Sequence, residues 1–146
     1  MEELAPILNM SISRCSMSEI ATIFAAYTES RVAFPRLFRN IRKSLNQRVS
    51  EITPKTAVSL MYSFSRVSKH KKAEDEPVIN DIMKIAFAAS ESLSSVDCLH
   101  LLTACNAFGI FPRESIDKLI MKIQPYIGQL NDDQSFVVLC TIVKSG

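Results

Sequence analysis

Residues 53–67, TPKTAVSLMYSFSRV, decide the fold. Thr53 carries a side-chain oxygen that can accept from the free amides of a helix's first turn, and Pro54 suits the first helical position because its missing donor is not needed there. Behind them Leu60, Met61 and Phe64 recur at helical spacing, which puts them on one apolar stripe. Three other segments fall into the same register when the chain is shifted by 37, 41 and 37 residues: SMSEIATIFAAYT from Ser16, SSVDCLHLLTACN from Ser94 and NDDQSFVVLCTIV from Asn131. A recurrence of this length is the mark of a stacked helical array.

Each aligned column has a physical reading. The cap column is Ser16, Thr53, Ser94 and Asn131, followed three positions later by Glu19, Thr56, Asp97 and Gln134. Ser16/Glu19 and Asn131/Gln134 therefore read as capping boxes. The apolar columns are Ile23/Leu60/Leu101/Val138, Phe24/Met61/Leu102/Leu139 and Tyr27/Phe64/Cys105/Ile142. Between them runs a column of small residues, Ala26/Ser63/Ala104/Thr141, which lets a neighbouring helix approach closely.

A second set of helices alternates with the first. Leu4, Ile41, Ile82 and Leu119 align under the same shifts, as do Leu8, Leu45, Ala86 and Ile123, and Cys15, Ile52, Leu93 and Leu130 precede the caps. The pattern predicts about eight helices, near 2–13, 17–30, 35–50, 54–67, 77–91, 95–108, 113–128 and 132–144. The longer interval comes from four extra residues in the loop 69–76, an insertion that an array of helix hairpins tolerates. The expected fold is all-α, an α-solenoid of helix-hairpin repeats forming a single array over 1–146. A plain helical bundle would give no reason for caps and core columns to recur at a fixed period. The array is expected to be part of a longer solenoid, or a subunit whose last helix, 132–144, is covered by a protein partner, because Phe136, Val137, Val138, Leu139, Ile142 and Val143 have no following helix.

Composition narrows the function classes. The 146 residues are 47% hydrophobic with 3 Gly, too apolar for a disordered chain. No apolar run reaches the roughly 18 residues that span a bilayer. The net charge of +2 conceals an uneven distribution: residues 1–73 hold 12 Lys/Arg and 5 Asp/Glu, residues 74–146 hold 5 and 10. Cys15, Cys98, Cys105 and Cys140 are scattered and, with His70 and His100, form no metal-ligand spacing, so free thiols and no metal or cofactor are expected. No Gly-rich phosphate loop, HExxH or GxSxG is present, and an enzyme is not expected.

The first-helix pattern of a cap, Pro, an apolar stripe and a small-residue position resembles the heptatricopeptide and octotricopeptide repeats, most closely in TPKTAVSLMYSFSRV (53–67) and SSVDCLHLLTACNAFG (94–109). Such arrays occur in organellar RNA-binding proteins, often with a RAP domain, and are similar to the helical region of FAST kinase-like mitochondrial RNA regulators. The resemblance implies a mitochondrial setting, with the plastid as alternative, and RNA metabolism or an organellar ribosome or other ribonucleoprotein assembly. No RAP domain is visible among these residues, so no activity that depends on one is implied.

Single-stranded or ribosomal RNA is the expected ligand, and two residue sets are candidates for it. Arg36, Arg39, Arg42, Lys43 and Arg48, with Lys69, Lys71 and Lys72 of the inserted loop, suit phosphates. Ser59, Tyr62, Arg66, His100, Thr103 and Asn106, on outward positions of the first-type helices, suit bases, with Tyr62 as a stacking platform. The alternative is a protein-binding scaffold of HEAT, armadillo or tetratricopeptide type with no nucleic-acid contact.

Overall fold

A computed structural model describes residues 12–30, 35–67 and 76–146. The described residues are all-α, without strands. Their helices are α1 (Met17–Ser30), α2 (Pro35–Gln47), α3 (Pro54–Val67), α4 (Glu76–Ala88), α5 (Ser95–Phe108), α6 (Arg113–Ile123) and α7 (Asp132–Ser145). Helices α1, α3, α5 and α7 each have 14 residues, and their first residues, 17, 54, 95 and 132, are separated by 37, 41 and 37. The expected helix 2–13 and the loop 69–76 fall largely outside the described residues.

The caps explain where the first-type helices begin. The Glu19 amide donates to Ser16 Oγ (3.1 Å) while the Ser16 amide donates to Glu19 Oε2 (2.7 Å), and Asn131 and Gln134 make the same reciprocal pair at 2.9 and 3.0 Å. Thr53 Oγ1 accepts from the Thr56 amide at 3.3 Å, and Ser94 Oγ from the Asp97 amide at 3.2 Å.

The second-type helices end earlier than their apolar pattern suggests. Tight 3₁₀ turns at Ile12–Arg14, Val49–Glu51, Ser90–Ser92 and Gln124–Gln129 lead into α1, α3, α5 and α7. Each is closed by the same backbone bond at the same register, from Cys15, Ile52, Leu93 and Leu130 to the carbonyls of Ile12, Val49, Ser90 and Ile127. Ile52, Leu93 and Leu130 are extended, which points their side chains inward immediately before the cap. Helix α2 thus stops at Gln47, α4 at Ala88 and α6 at Ile123, where Pro125 lacks the amide that a continuing α-helix needs.

Helix α1 packs on α3, α3 on α5 and α5 on α7, giving a continuous row, while α2, α4 and α6 flank α1, α3 and α5. Leu60, Leu101 and Val138 are buried as their column requires, and so are the small Ser63, Ala104 and Thr141. Phe24 and Phe64 meet edge to face at 4.9 Å between α1 and α3, and Phe38 of α2 closes on Phe24 at 5.7 Å. Leu139 and Ile142 are exposed although their columns are buried in α3 and α5, because no described element follows α7 in the row.

Candidate nucleic-acid interface

Helix α2 is built from two stripes. Leu37, Ile41, Ser44 and Leu45 are buried, while Arg36, Arg39 and Lys43 are exposed on the far side of the same helix. The helix contains no Asp or Glu. Among the described residues, no ion pair engages Arg36, Arg39 or Lys43. Three cations thus share an exposed ridge with no neutralising partner among the described residues.

The remaining phosphate candidates differ. Arg42 is half-buried, with its guanidinium 5.6 Å from the centre of the Phe38 ring. Arg48 donates to the Cys15 carbonyl at 2.7 Å and to Glu51 Oε2 at 2.5 Å, fastening the turn before α3 to the turn before α1. Its guanidinium is therefore engaged in the fold. Lys69, Lys71 and Lys72 lie outside the described residues.

A second surface runs over the row of first-type helices. Lys55, Ser59, Tyr62 and Arg66 form one stripe of α3, and they share a groove of about 340 Å³ with Glu29 of α1 and His100 of α5. Tyr62 and His100 stack with ring centres 4.1 Å apart and an interplanar angle of 18°. From the α1 side, Arg66 approaches the Tyr62 ring to 5.8 Å and pairs with Glu29 at 3.8 Å. Burial, which favours the neutral ring, pulls the His100 imidazole below its ordinary value, against the opposing pull of the Asp97 carboxylate toward the charged form. At its other end the groove meets a wider depression of about 560 Å³ between the starts of α1 and α3, where Lys55 and Ser59 join Ser18, Thr22 and Thr56.

Four of the six base candidates, Ser59, Tyr62, Arg66 and His100, therefore come together. Thr103 does not join them; its hydroxyl donates to the Leu99 carbonyl at 2.9 Å. Asn106 ties α5 to α7, its Nδ2 donating to the Val137 carbonyl at 3.3 Å and to Thr141 Oγ1 at 2.5 Å. Lys55 was absent from the candidates, although its place one turn before Ser59 on the same stripe signals it. Neither depression is lined by α2, so the ridge and the groove are separate surfaces.

The remaining chemistry is sparse. Burial raises the thiols of Cys98 and Cys105, the latter to about 12, which keeps both protonated. Among the described residues no cluster of three or more His, Cys, Asp or Glu is placed to hold a metal, and no helix is long and apolar enough to cross a membrane. The described residues form an all-α fold. No family model matches the chain, and no curated protein matches it.

Proposed function

We propose that the chain is an α-solenoid that binds single-stranded or ribosomal RNA within an organellar ribonucleoprotein, with phosphates held on the α2 ridge. The observation that carries this reading is the exposed trio Arg36, Arg39 and Lys43, unpaired among the described residues, on a helix without a carboxylate. Binding a polyanion there breaks no ion pair among the described residues, and neutralising phosphates frees condensed counterions. The regular spacing of α1, α3, α5 and α7 supports the solenoid reading. The mitochondrial setting, with the plastid as alternative, rests on the likeness of residues 53–67 and 94–109 to organellar helical repeats.

In this reading Arg42 and Arg48 support the ridge. Tyr62 is bracketed by His100 and Arg66, so a base reaches the groove by stacking on the outer edge of that pair or by displacing Arg66 from Glu29. Fluorescence anisotropy with a labelled oligouridine tests the proposal: the natural chain binds, and Arg36/Arg39/Lys43→Glu removes binding while leaving the helical circular dichroism unchanged. Equal binding by both proteins would refute it.

A second reading, a protein-binding scaffold without nucleic-acid contact, is favoured by the groove's own charge. Along its two depressions Glu29 is paired with Arg66 and Glu51 with Arg48, and Asp97 has no ion pair among the described residues, so its carboxylate suits a basic group on a peptide better than a phosphate.

A further inference from the structure

The row of first-type helices has an open face at each end. At the α7 end, Phe136 and Leu139 are 67% and 62% exposed, and Val143 is 79% exposed. The positions equivalent to Phe136 and Leu139 in the preceding helices are Ala21/Phe24, Val58/Met61 and Leu99/Leu102, all buried, and those equivalent to Val143 are the half-buried Thr28, Ser65 and Asn106. At the α1 end, Ala26 is exposed and Ile23 only partly buried, whereas their counterparts Ser63/Ala104/Thr141 and Leu60/Leu101/Val138 are buried. One end thus offers large apolar side chains and the other a shallow face of small ones. Within the row, Phe24 of α1 meets Phe64 of α3, and Asn106 of α5 reaches the Val137 carbonyl and Thr141 on the facing side of α7.

Charges at the same register positions match as well. Arg66 of α3 pairs with Glu29 of α1 at 3.8 Å. If α7 of one molecule takes the place before α1 of another, the equivalent positions hold Lys144 and the second molecule's Glu29. Lys144 is exposed and lies 5.8 Å above the Phe111 ring, free of any ion pair among the described residues. In the depression between α1 and α3, Met17 and Ser18 stand near Glu51. Across the two molecules these become Asp132 and Asp133 facing Arg14, all three exposed. Both sets of equivalent positions carry opposite charges.

We infer that the chain self-associates head to tail, the Phe136/Leu139/Val143 face of α7 seating on the Thr22/Ile23/Ala26 face of α1 in a second copy. Such an interface is heterologous, and a dimer leaves one face of each kind open, so addition continues beyond the dimer as concentration rises. The inference does not depend on RNA binding.

Sedimentation velocity of the 146-residue chain across low to high micromolar concentrations tests it together with two exposed-site variants. Leu139→Glu blocks one face, Ala26→Arg the other. The natural chain is expected to grow in mass without a plateau at the dimer, and each variant alone to stay monomeric. Mixed in equal amounts, the variants are expected to form a dimer and nothing larger, because one intact α7 face meets one intact α1 face. A natural chain that stays monomeric throughout overturns the inference. So does an Ala26→Arg chain that still dimerises, which would mean symmetric α7-to-α7 pairing, and so does a mixture that remains monomeric.

Discussion

Leu102 and Leu139 occupy the same register position in α5 and α7, yet Leu102 is fully buried and Leu139 largely exposed. Truncating each to alanine separates the contribution of sequence pattern from that of packing. For Leu102→Ala the lost transfer energy and the cavity together cost about 2–5 kcal/mol, since its neighbours Leu99, Leu101 and Cys105 belong to the same closely packed core. With a urea slope of about 2 kcal/mol/M, that cost lowers the midpoint by roughly 1–2.5 M. For Leu139→Ala, carried out at low concentration so that the α7 face stays open, the change should remain within about 0.5 kcal/mol. Urea unfolding followed by circular dichroism at 222 nm reads both. Equal losses at the two positions would refute the reasoning, because they would mean that the α7 face is covered within the isolated chain.

Other consequences are open to direct measurement. Arg48→Met leaves the Cys15 carbonyl and Glu51 without their guanidinium donor and should cost about 1–3 kcal/mol, whereas Arg39→Met on the exposed ridge should change stability by less than about 0.5 kcal/mol; similar urea midpoints for the two would contradict the separate roles given to these arginines. His100 should titrate below its ordinary 6.5 by NMR. Because its folded value is lowered, its contribution to stability is complete above 6.5 and is lost as pH falls through the folded value. His100→Phe keeps a ring against Tyr62 and should remove that part of the pH dependence; an unchanged acid limb would exclude His100 as its source. Ser94→Ala removes the side-chain acceptor for the Asp97 amide and should cost about 1 kcal/mol, and a loss no larger than that of an exposed Ser13→Ala control would show that the cap contributes nothing.

Much of the fold was legible because it is written in local chemistry. The first-type helices begin at Ser16, Thr53, Ser94 and Asn131, each able to satisfy an amide of its own first turn, so their starts follow from four short windows. The ends of the second-type helices were less legible. Apolar periodicity runs on through Val49 and Ile127, and only the tight turns that present Ile52, Leu93 and Leu130 to the core show where the α-helix stops.

The candidate site divides along the same line. Arg36, Arg39 and Lys43 were readable because an exposed ridge opposite an apolar stripe needs only helical spacing. Arg48 and Asn106 were not, since their partners, Cys15 and Thr141, lie 33 and 35 residues away in sequence. The Tyr62–His100 stack was hidden for the same reason: each residue read as an outward group on its own helix, and only the approach of α3 to α5 makes them one another's partner.

The central claim, that the α2 ridge holds phosphates, is tested most directly by the salt dependence of oligouridine binding. Three contacts to a single strand predict that log affinity falls with log salt at a slope of about −2, and that Arg39→Gln reduces the steepness by about 0.7. A slope near zero, or one that Arg39→Gln leaves unchanged, would contradict it.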